Sequence, residues 1–556
     1  MSSLPSLPLL HIQREFSHDV SVEKEAPRHV FPFEKAYPQQ NKAVDDLMCE
    51  ERAVFEAPTG AGKTAVYLSA ALEAQCQSDC DYCEERYRCK GRGTLVITPR
   101  RFLQDQLREG YYGHEFEIVE LYGLESYRCG LLLEAGIDKK LAKAKYAPCR
   151  SRSRNAFKFR GKMYPYPCRD DCEYYTALQR ARAVLKGGGF VVTNHGNFWL
   201  FRGAYRVVID EGDEILRHLT EAVVVGEPPE GESPEALRRA LEKEREQTLS
   251  KIELLSKELE KADPESEDYR KILDRLDSLE RKERKLSFFI VNVDRAFHYE
   301  RRGRHFIELL PDYERLLDSL FTRWWLVSAT PPKLSAPRVS YTLPFRRLVF
   351  YTPVAKLTER EIKKKGESET LERAAEFIVR TFEKHHELFG ANAAIVYSGN
   401  LYHHGKFFVE YLQHSYNVVF HEEGKLDETI KRFKSELSRG RTFLVAVGIE
   451  YGGDFKEVPL LFITKVPYSP MDERLRALRW KLGQRFNEFY EWDALSKLMQ
   501  VCGRVQRTPD SKGVTYILDA KFGELYEKWK DKLPVWFKER LVMPDGGASG
   551  EAEAAA

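Results

Sequence analysis

Glu56-Ala57-Pro58-Thr59-Gly60-Ala61-Gly62-Lys63-Thr64 lies between a short apolar run, Ala53-Val54-Phe55, and a helix-like segment from Thr64 to Ala74. A glycine-rich turn that follows a strand and opens a helix is the setting of a phosphate loop. Gly60 and Gly62 let successive backbone N–H groups turn toward a phosphate, and the helix N-terminus adds positive potential there. In this reading Pro58, Thr59, Gly60, Ala61 and Gly62 form the cradle, Lys63 reaches the β- and γ-phosphates, and Thr64 ligates Mg²⁺. Ala57 stands where the strict pattern has Gly, outside the phosphate-contacting part.

Such a loop needs an acidic partner at the end of another strand. Val207-Val208-Ile209-Asp210-Glu211-Gly212-Asp213 supplies it. Asp210 is the expected Mg²⁺ holder, and Glu211 the residue that orients and polarises the attacking water. The two stretches together predict nucleotide hydrolysis in an α/β fold. Further short strands are expected at Thr94–Ile97, Phe190–Thr193, Arg206–Ile209 and Leu326–Val327. A second α/β body follows, with strands at Ala394–Tyr397, Phe443–Val447, Leu460–Ile463 and Val514–Leu518.

The 556 residues carry 88 Lys and Arg against 86 Asp and Glu, a net charge of +2, so any polyanion site must be a local patch. No window offers the roughly 20 apolar residues a bilayer needs, and residues 1–10 lack a basic start, so a membrane span and a secretory signal are not expected. A cytoplasmic chain is the expectation, and its ten cysteines then read as thiols or metal ligands. Cys49 and Cys502 read as ordinary buried thiols. Residues 233–286 read as two long helices. Ser233-Pro234 and Asp263-Pro264 are start signals, and the first helix spans about 43 Å if it runs to Ala262. Lys363-Lys364-Lys365-Gly366 reads as a linker or exposed loop.

The order of motifs resembles the superfamily 2 DNA helicases of the XPD/DinG group. Tyr37-Pro38-Gln39-Gln40 precedes the phosphate loop as that family's adenine-side motif does. Thr98-Pro99-Arg100 and Gln106 resemble motif Ia, and Val192-Thr193-Asn194-His195 the segment ahead of the acidic box. Ser328-Ala329-Thr330 resembles motif III, and Gly448, Glu450, Gly453, Asp454 and Phe455 resemble motif V. Gln500-Val501-Cys502-Gly503-Arg504-Val505-Gln506-Arg507 resembles motif VI. The resemblance implies two RecA-like motor domains with ATP between them. Gln40 and Gln500 then contact the nucleotide site, and Arg504 and Arg507 reach across as arginine fingers, an effect of about 10³–10⁵ in rate. Asp213 replaces the family's usual His, which bears on how hydrolysis is coupled to DNA.

Cys129, Cys149, Cys168 and Cys172 have the spacing C-x19-C-x18-C-x3-C. Four thiolates suit a [4Fe–4S] cluster or zinc equally; the resemblance implies the cluster. Cys76, Cys80, Cys83 and Cys89 form a second set, read as a structural metal site for zinc or a second cluster. From Cys149 to Arg169 there is no acidic residue. Arg150, Arg152, Arg154, Lys158, Arg160 and Lys162 alternate with Phe157, Phe159, Tyr164 and Tyr166, a pattern expected to hold nucleic acid through phosphate contacts and stacking. Arg100 joins that set.

The expected domain plan is a flexible arm (1–28), motor domain 1 (29–119, 176–213 and 323–350), an iron–sulfur domain (120–175), a helical arch (214–322), motor domain 2 (351–544) and a disordered tail (545–556). The resemblance implies 5′→3′ travel on single-stranded, forked or overhanging DNA in repair or replication, with partner proteins from those processes. Two rivals remain: an RNA helicase or RNP remodeller, and a cluster-bearing clamp with a weak ATPase.

Overall fold

In the computed structural model, residues 4–18, 23–75, 92–99, 104–105, 107, 116–150, 156–165, 172–201, 203–357, 367–399, 402–421, 425–449, 455, 457–506 and 511–544 are described. The second cysteine set (Cys76, Cys80, Cys83, Cys89), the tri-lysine stretch and the tail lie outside them, as do Glu450, Gly453 and Asp454.

The chain begins with α1 (Leu9–Ser17) and α2 (Pro38–Met48), then β1 (Arg52–Glu56), α3 (Lys63–Glu73), β2 (Thr94–Thr98) and β3 (Ile118–Leu121). A two-stranded hairpin, β4 (Ala156–Phe159) and β5 (Lys162–Pro165), precedes α4 (Glu173–Gly187), β6 (Phe190–Asn194), β7 (Arg206–Asp210) and α5 (Gly212–Thr220). Next come β8 (Val223–Val225), α6 (Pro234–Lys261), α7 (Glu267–Val291), β9 (Ala296–Arg301) and β10 (Arg304–Leu309). The chain then returns through β11 (Trp324–Ser328) and β12 (Arg338–Ser340).

These strands build a seven-stranded parallel sheet ordered β12-β1-β11-β7-β2-β6-β3. Helices cover both faces of such a sheet, so its strands read as unbroken apolar runs. Trp324 and Trp325 point to opposite faces, and both are fully buried. β1 and β7 lie on either side of β11 and end level with it, which brings the phosphate loop and the acidic pair to the same edge.

The second sheet is also parallel, ordered β15-β16-β14-β17-β18-β13-β19. Its strands are β13 (Val349–Ala355), β14 (Ala393–Tyr397), β15 (Asn417–Phe420), β16 (Thr442–Ala446), β17 (Leu460–Ile463), β18 (Val514–Asp519) and β19 (Leu541–Val542). Helices α8 (Glu473–Leu482), α9 (Arg485–Cys502) and α10 (Val535–Arg540) belong to this domain. The molecule is therefore two RecA-like α/β domains. The insertion between β7 and β11 carries the antiparallel sheet β8-β10-β9 and the hairpin of α6 and α7. Ser233 and Ser266 cap those helices through their hydroxyls, which accept from the backbone N–H groups of Ala236 and Tyr269. Among the described residues no helix is long and apolar enough to cross a membrane.

Three expectations need correction. Residues 9–17 are not a loose arm: α1 buries Ile12 fully among Leu348, Phe350 and Phe377 of the second domain. Arg346 donates to the carbonyls of Glu15 and His18, which fastens the helix to the segment joining the two sheets. The polarity of that stretch hid a single apolar face. The domain boundary falls between Ser340 and Val349, because Val349 and Phe350 already pair with Thr515 and Tyr516 in the second sheet. Cys49 is exposed, whereas Cys502 is buried and its thiol pushed far up by that burial.

Candidate nucleotide site and its surroundings

The phosphate loop is held from three sides. Gly62 is the N-cap of α3 with φ of 81°, and a Cβ there would lie 2.6 Å from the Gln40 amide nitrogen. Gln40 donates to the Ala61 carbonyl at 2.8 Å and accepts from the Tyr37 backbone N–H at 3.0 Å. The Tyr341 hydroxyl donates to the same Ala61 carbonyl at 2.6 Å. Glu56 is buried at the end of β1; burial raises its pKa against the pull of Arg338, which donates to it at 2.7 Å. Lys63 is 8% exposed, and its ammonium donates to the Ala57 carbonyl at 3.2 Å.

The acidic pair faces Lys63. Glu211 sits in the left-handed region with φ of 50°, a conformation that costs a non-glycine residue about 1–2 kcal/mol. Such outliers gather where a side chain must be aimed. Gly212 follows because a Cβ there would meet a Leu326 methyl at 2.1 Å. Burial drives the Asp210 carboxyl upward, opposed by Lys63, and the Tyr67 hydroxyl donates to it at 3.3 Å. Burial likewise pushes Glu211 up to about 7; Lys63 opposes this, Asp210 and Asp213 add to it, and Arg504 opposes it. A buried and a half-buried carboxyl beside Lys63 form a donor set that fits a divalent cation.

The second domain closes over this edge. A Cβ on Gly503 would lie 3.8 Å from the Thr59 hydroxyl, so the end of α9 rests on the phosphate loop. Arg504 follows and is near enough to lower the Glu211 pKa. Asp213 accepts from Ser328 at 2.8 Å and from the Gln500 amide at 2.8 Å; the same amide reaches the Thr330 hydroxyl at 3.0 Å. The acidic box, the Ser-Ala-Thr strand end and α9 are thus tied by one carboxylate. Gln500 is placed in this tie, and Arg507 lies outside the described residues. Trp536 on α10 donates its indole N–H to the Ala329 carbonyl at 3.0 Å, a second bond between the domains.

Sequence reading missed four contributors. Tyr67 was legible, one helical turn past Lys63 on α3. Tyr341 and Trp536 carry no local signal. The fourth is Arg474, whose guanidinium chelates the buried Glu308 carboxylate and so joins α8 to the insertion sheet.

The cysteine-rich module has its own small core of Cys129, Leu131, Leu132, Ala142, Ala147, Phe157 and Phe159, with Cys149 packed against it. Cys129 and Cys172 are the N-caps of Gly130–Glu134 and of α4. The backbone N–H of Arg128 donates to Glu173 at 2.7 Å, which draws the Cys129 and Cys172 regions together. Three of the four expected ligands therefore border one module, and Cys168 lies outside the described residues. Among the described residues no three potential ligands form a metal-holding group.

The expected roles of Phe157, Phe159, Arg150 and Arg160 in nucleic-acid binding are corrected. Phe157 and Phe159 are each 4% exposed and form the module's core, with Tyr164 stacked on Phe157 at 5.6 Å. Arg150 is paired with Asp277 and Arg160 with Glu265, both from the α6–α7 hairpin. Lys145 is held by Asp274 at 2.7 Å. The Tyr269 hydroxyl donates to the Ala147 carbonyl at 3.2 Å. Two arginines of an acid-free stretch of sequence thus meet their acids in space. Lys162 is exposed; Arg100, Arg152, Arg154, Tyr166 and the Lys158 side chain lie outside the described residues.

Two family models match the chain, one in each α/β domain. Residues 37–113 match the DEAD/DEAH box helicase family model, and residues 399–540 match the helicase C-terminal domain model. No curated protein matches the chain. Among solved structures it is similar to an XPD protein in the apo state at 15% identity, covering 91% of this chain and 99% of that one, with a TM-score of 0.48. It is also similar to Xpd4 of S. tokodaii at 13% identity, covering 91% and 98%, with a TM-score of 0.49. A DNA-bound DUF1998 helicase, MrfA, is similar at 11% identity, covering 95% of this chain and 59% of that one, with a TM-score of 0.37. The chain therefore carries a DEAD/DEAH box helicase domain and a helicase C-terminal domain, one in each of its two α/β domains.

Proposed function

We propose that the chain is a DNA helicase of the XPD type that moves 5′→3′ along one strand and opens duplex ahead of it. The observation that carries this reading is the tie from Asp213 to Ser328, Gln500 and Thr330, beside Gly503 resting on the phosphate loop. Domain closure and the acidic box are thereby one mechanical unit. Lys63 holds the phosphates, Glu211 orients the attacking water, and Arg504 offsets charge from the second domain. Thr64 and Asp210 would hold Mg²⁺, which supplies charge neutralisation on the phosphoryl oxygens. Asp213 takes up the coupling position through these bonds, which counts against a vestigial ATPase.

Cys129, Cys149, Cys168 and Cys172 would hold a [4Fe–4S] cluster, which would cross-link the segments of the small module that carry them. Cys76, Cys80, Cys83 and Cys89 would hold zinc or a second cluster. DNA repair or replication-linked processing in the cytoplasm is the setting this reading favours.

The test is ATP hydrolysis by full-length protein with single-stranded DNA, with RNA and with neither, beside strand separation on substrates with a 5′ or a 3′ overhang. Stimulation by DNA with opening of the 5′-overhang substrate is expected. Stimulation by RNA well above DNA would overturn the DNA reading, and opening only from the 3′ overhang would overturn the polarity.

A further inference from the structure

Trp480 is 72% exposed on α8. Tryptophan rings are normally largely covered, so one standing in solvent needs a reason. Helix α8 has two faces. Leu475 and Leu478 are buried against Phe297, Tyr299 and Phe486, with Leu482 packed beside them. Arg474 is bound to Glu308. The opposite face carries Arg476, Arg479 and Trp480, which share one side at helical spacing. Lys481 and Arg485 flank it. Among the described residues none of Arg476, Arg479, Lys481 and Arg485 has its side chain paired with a carboxylate, although Glu473 and Glu488 stand nearby in sequence.

Arg301 reaches Asp472, the N-cap of α8, at 3.7 Å, which brings the turn bearing the exposed Arg302 and Arg304 toward the same helix. Of these cations Arg485 also lines a cavity of about 1360 Å³ between the domains, whose wall includes Asp213, Thr330 and Gln500.

We propose that this α8 face is a binding site for unpaired nucleic acid, in which a base stacks on the Trp480 indole and Arg476, Arg479, Lys481 and Arg485 engage the phosphates on either side. Stacking on an aromatic ring is tolerant of sequence, and cations bind the backbone through counterion release. The position gives the site a use. A strand held here rests on a helix joined to the insertion sheet through Arg474 and Glu308, and Arg485 at its edge lines the cavity that also holds Asp213. The site rests on the helicase reading and adds a contact that the motifs do not supply. It also replaces the Phe157–Phe159 stretch, whose rings are buried.

The test is fluorescence anisotropy of a labelled oligothymidylate of about 16 nucleotides with the full chain across a salt series. Trp480→Ala is expected to weaken binding about tenfold, and Trp480→Phe, which keeps a stacking ring, to stay within about twofold of wild type. The double variant Arg476→Gln/Arg479→Gln is expected to lower the slope of log affinity against log salt by about 1.4. ATP hydrolysis without nucleic acid is expected to stay unchanged in all three, since none of these residues lines the phosphate loop. Wild-type affinity and slope in Trp480→Ala and in the arginine variant overturn the site; if hydrolysis is still stimulated, the helicase reading survives that result. A wild-type chain that neither binds the oligonucleotide nor is stimulated by it overturns both.

Discussion

At the cleft, Asp213 accepts from Ser328 on one domain and from Gln500 on the other, with Arg217 of its own helix beside them. At the junction of the cysteine-rich module and the hairpin, Arg150, Arg160 and Lys145 are taken by Asp277, Glu265 and Asp274. Both regions pair charge across elements far apart in sequence. They differ in what is left over. The cleft gathers Lys63 and Asp210, both buried, with the half-buried Glu211 and Arg504 around a space where a nucleotide and a cation would sit. At the junction Arg150, Arg160 and Lys145 have carboxylate partners within the molecule, so their positive charge serves to hold two parts together.

The variants expected to have the largest effect lie in the cleft. Lys63→Ala and Glu211→Gln are each expected to lower nucleic-acid-stimulated kcat by about 10²–10³ or more, read by steady-state phosphate release. Full turnover in either would remove the contrast between the two regions. A smaller effect is expected for the tie. Asp213→Ala and Gln500→Ala, alone and together, should be non-additive, with a coupling of about 0.5–3 kcal/mol in stimulated kcat. Additive losses would mean that the bonds do not act as a unit. Next comes the link to the insertion. Glu308→Ala strands the Arg474 guanidinium; because that side chain is 38% exposed and water can reach it, a loss of about 1–3 kcal/mol is expected in urea unfolding. The smallest effect belongs to the junction. Arg150→Ala should lower stability by about 1 kcal/mol and leave strand affinity and its salt slope as in wild type. A reduced slope would return Arg150 to the phosphate contacts.

The same comparison explains what was legible in the sequence. Phosphate-loop and acidic-box chemistry demands fixed residue types at fixed spacing beside a strand end, so Gly60, Lys63, Asp210 and Glu211 could be read directly. The core strands were readable because both faces are buried, as Trp324-Trp325-Leu326-Val327 illustrates. The basic–aromatic stretch misled because an alternating β-hairpin turns one face inward: Phe157 and Phe159 point into the core. Nor could the sequence show that Asp277 and Glu265, more than 100 residues away, would meet Arg150 and Arg160. Helix α1 was missed because its apolar stripe, Leu9, Ile12 and Phe16, spans only nine residues between a proline-rich start and a polar stretch. Trp480 was overlooked for the opposite reason: a single aromatic in a leucine-bearing helix reads as core until its exposure is known.

The account stands on Arg504 acting from the second domain on chemistry held by the first. The direct measurement is hydrolysis by Arg504→Ala at saturating ATP with single-stranded DNA, alongside its ATP affinity. A kcat reduced by about 10³ with ATP binding largely kept is the predicted result. Turnover at the wild-type rate would contradict it.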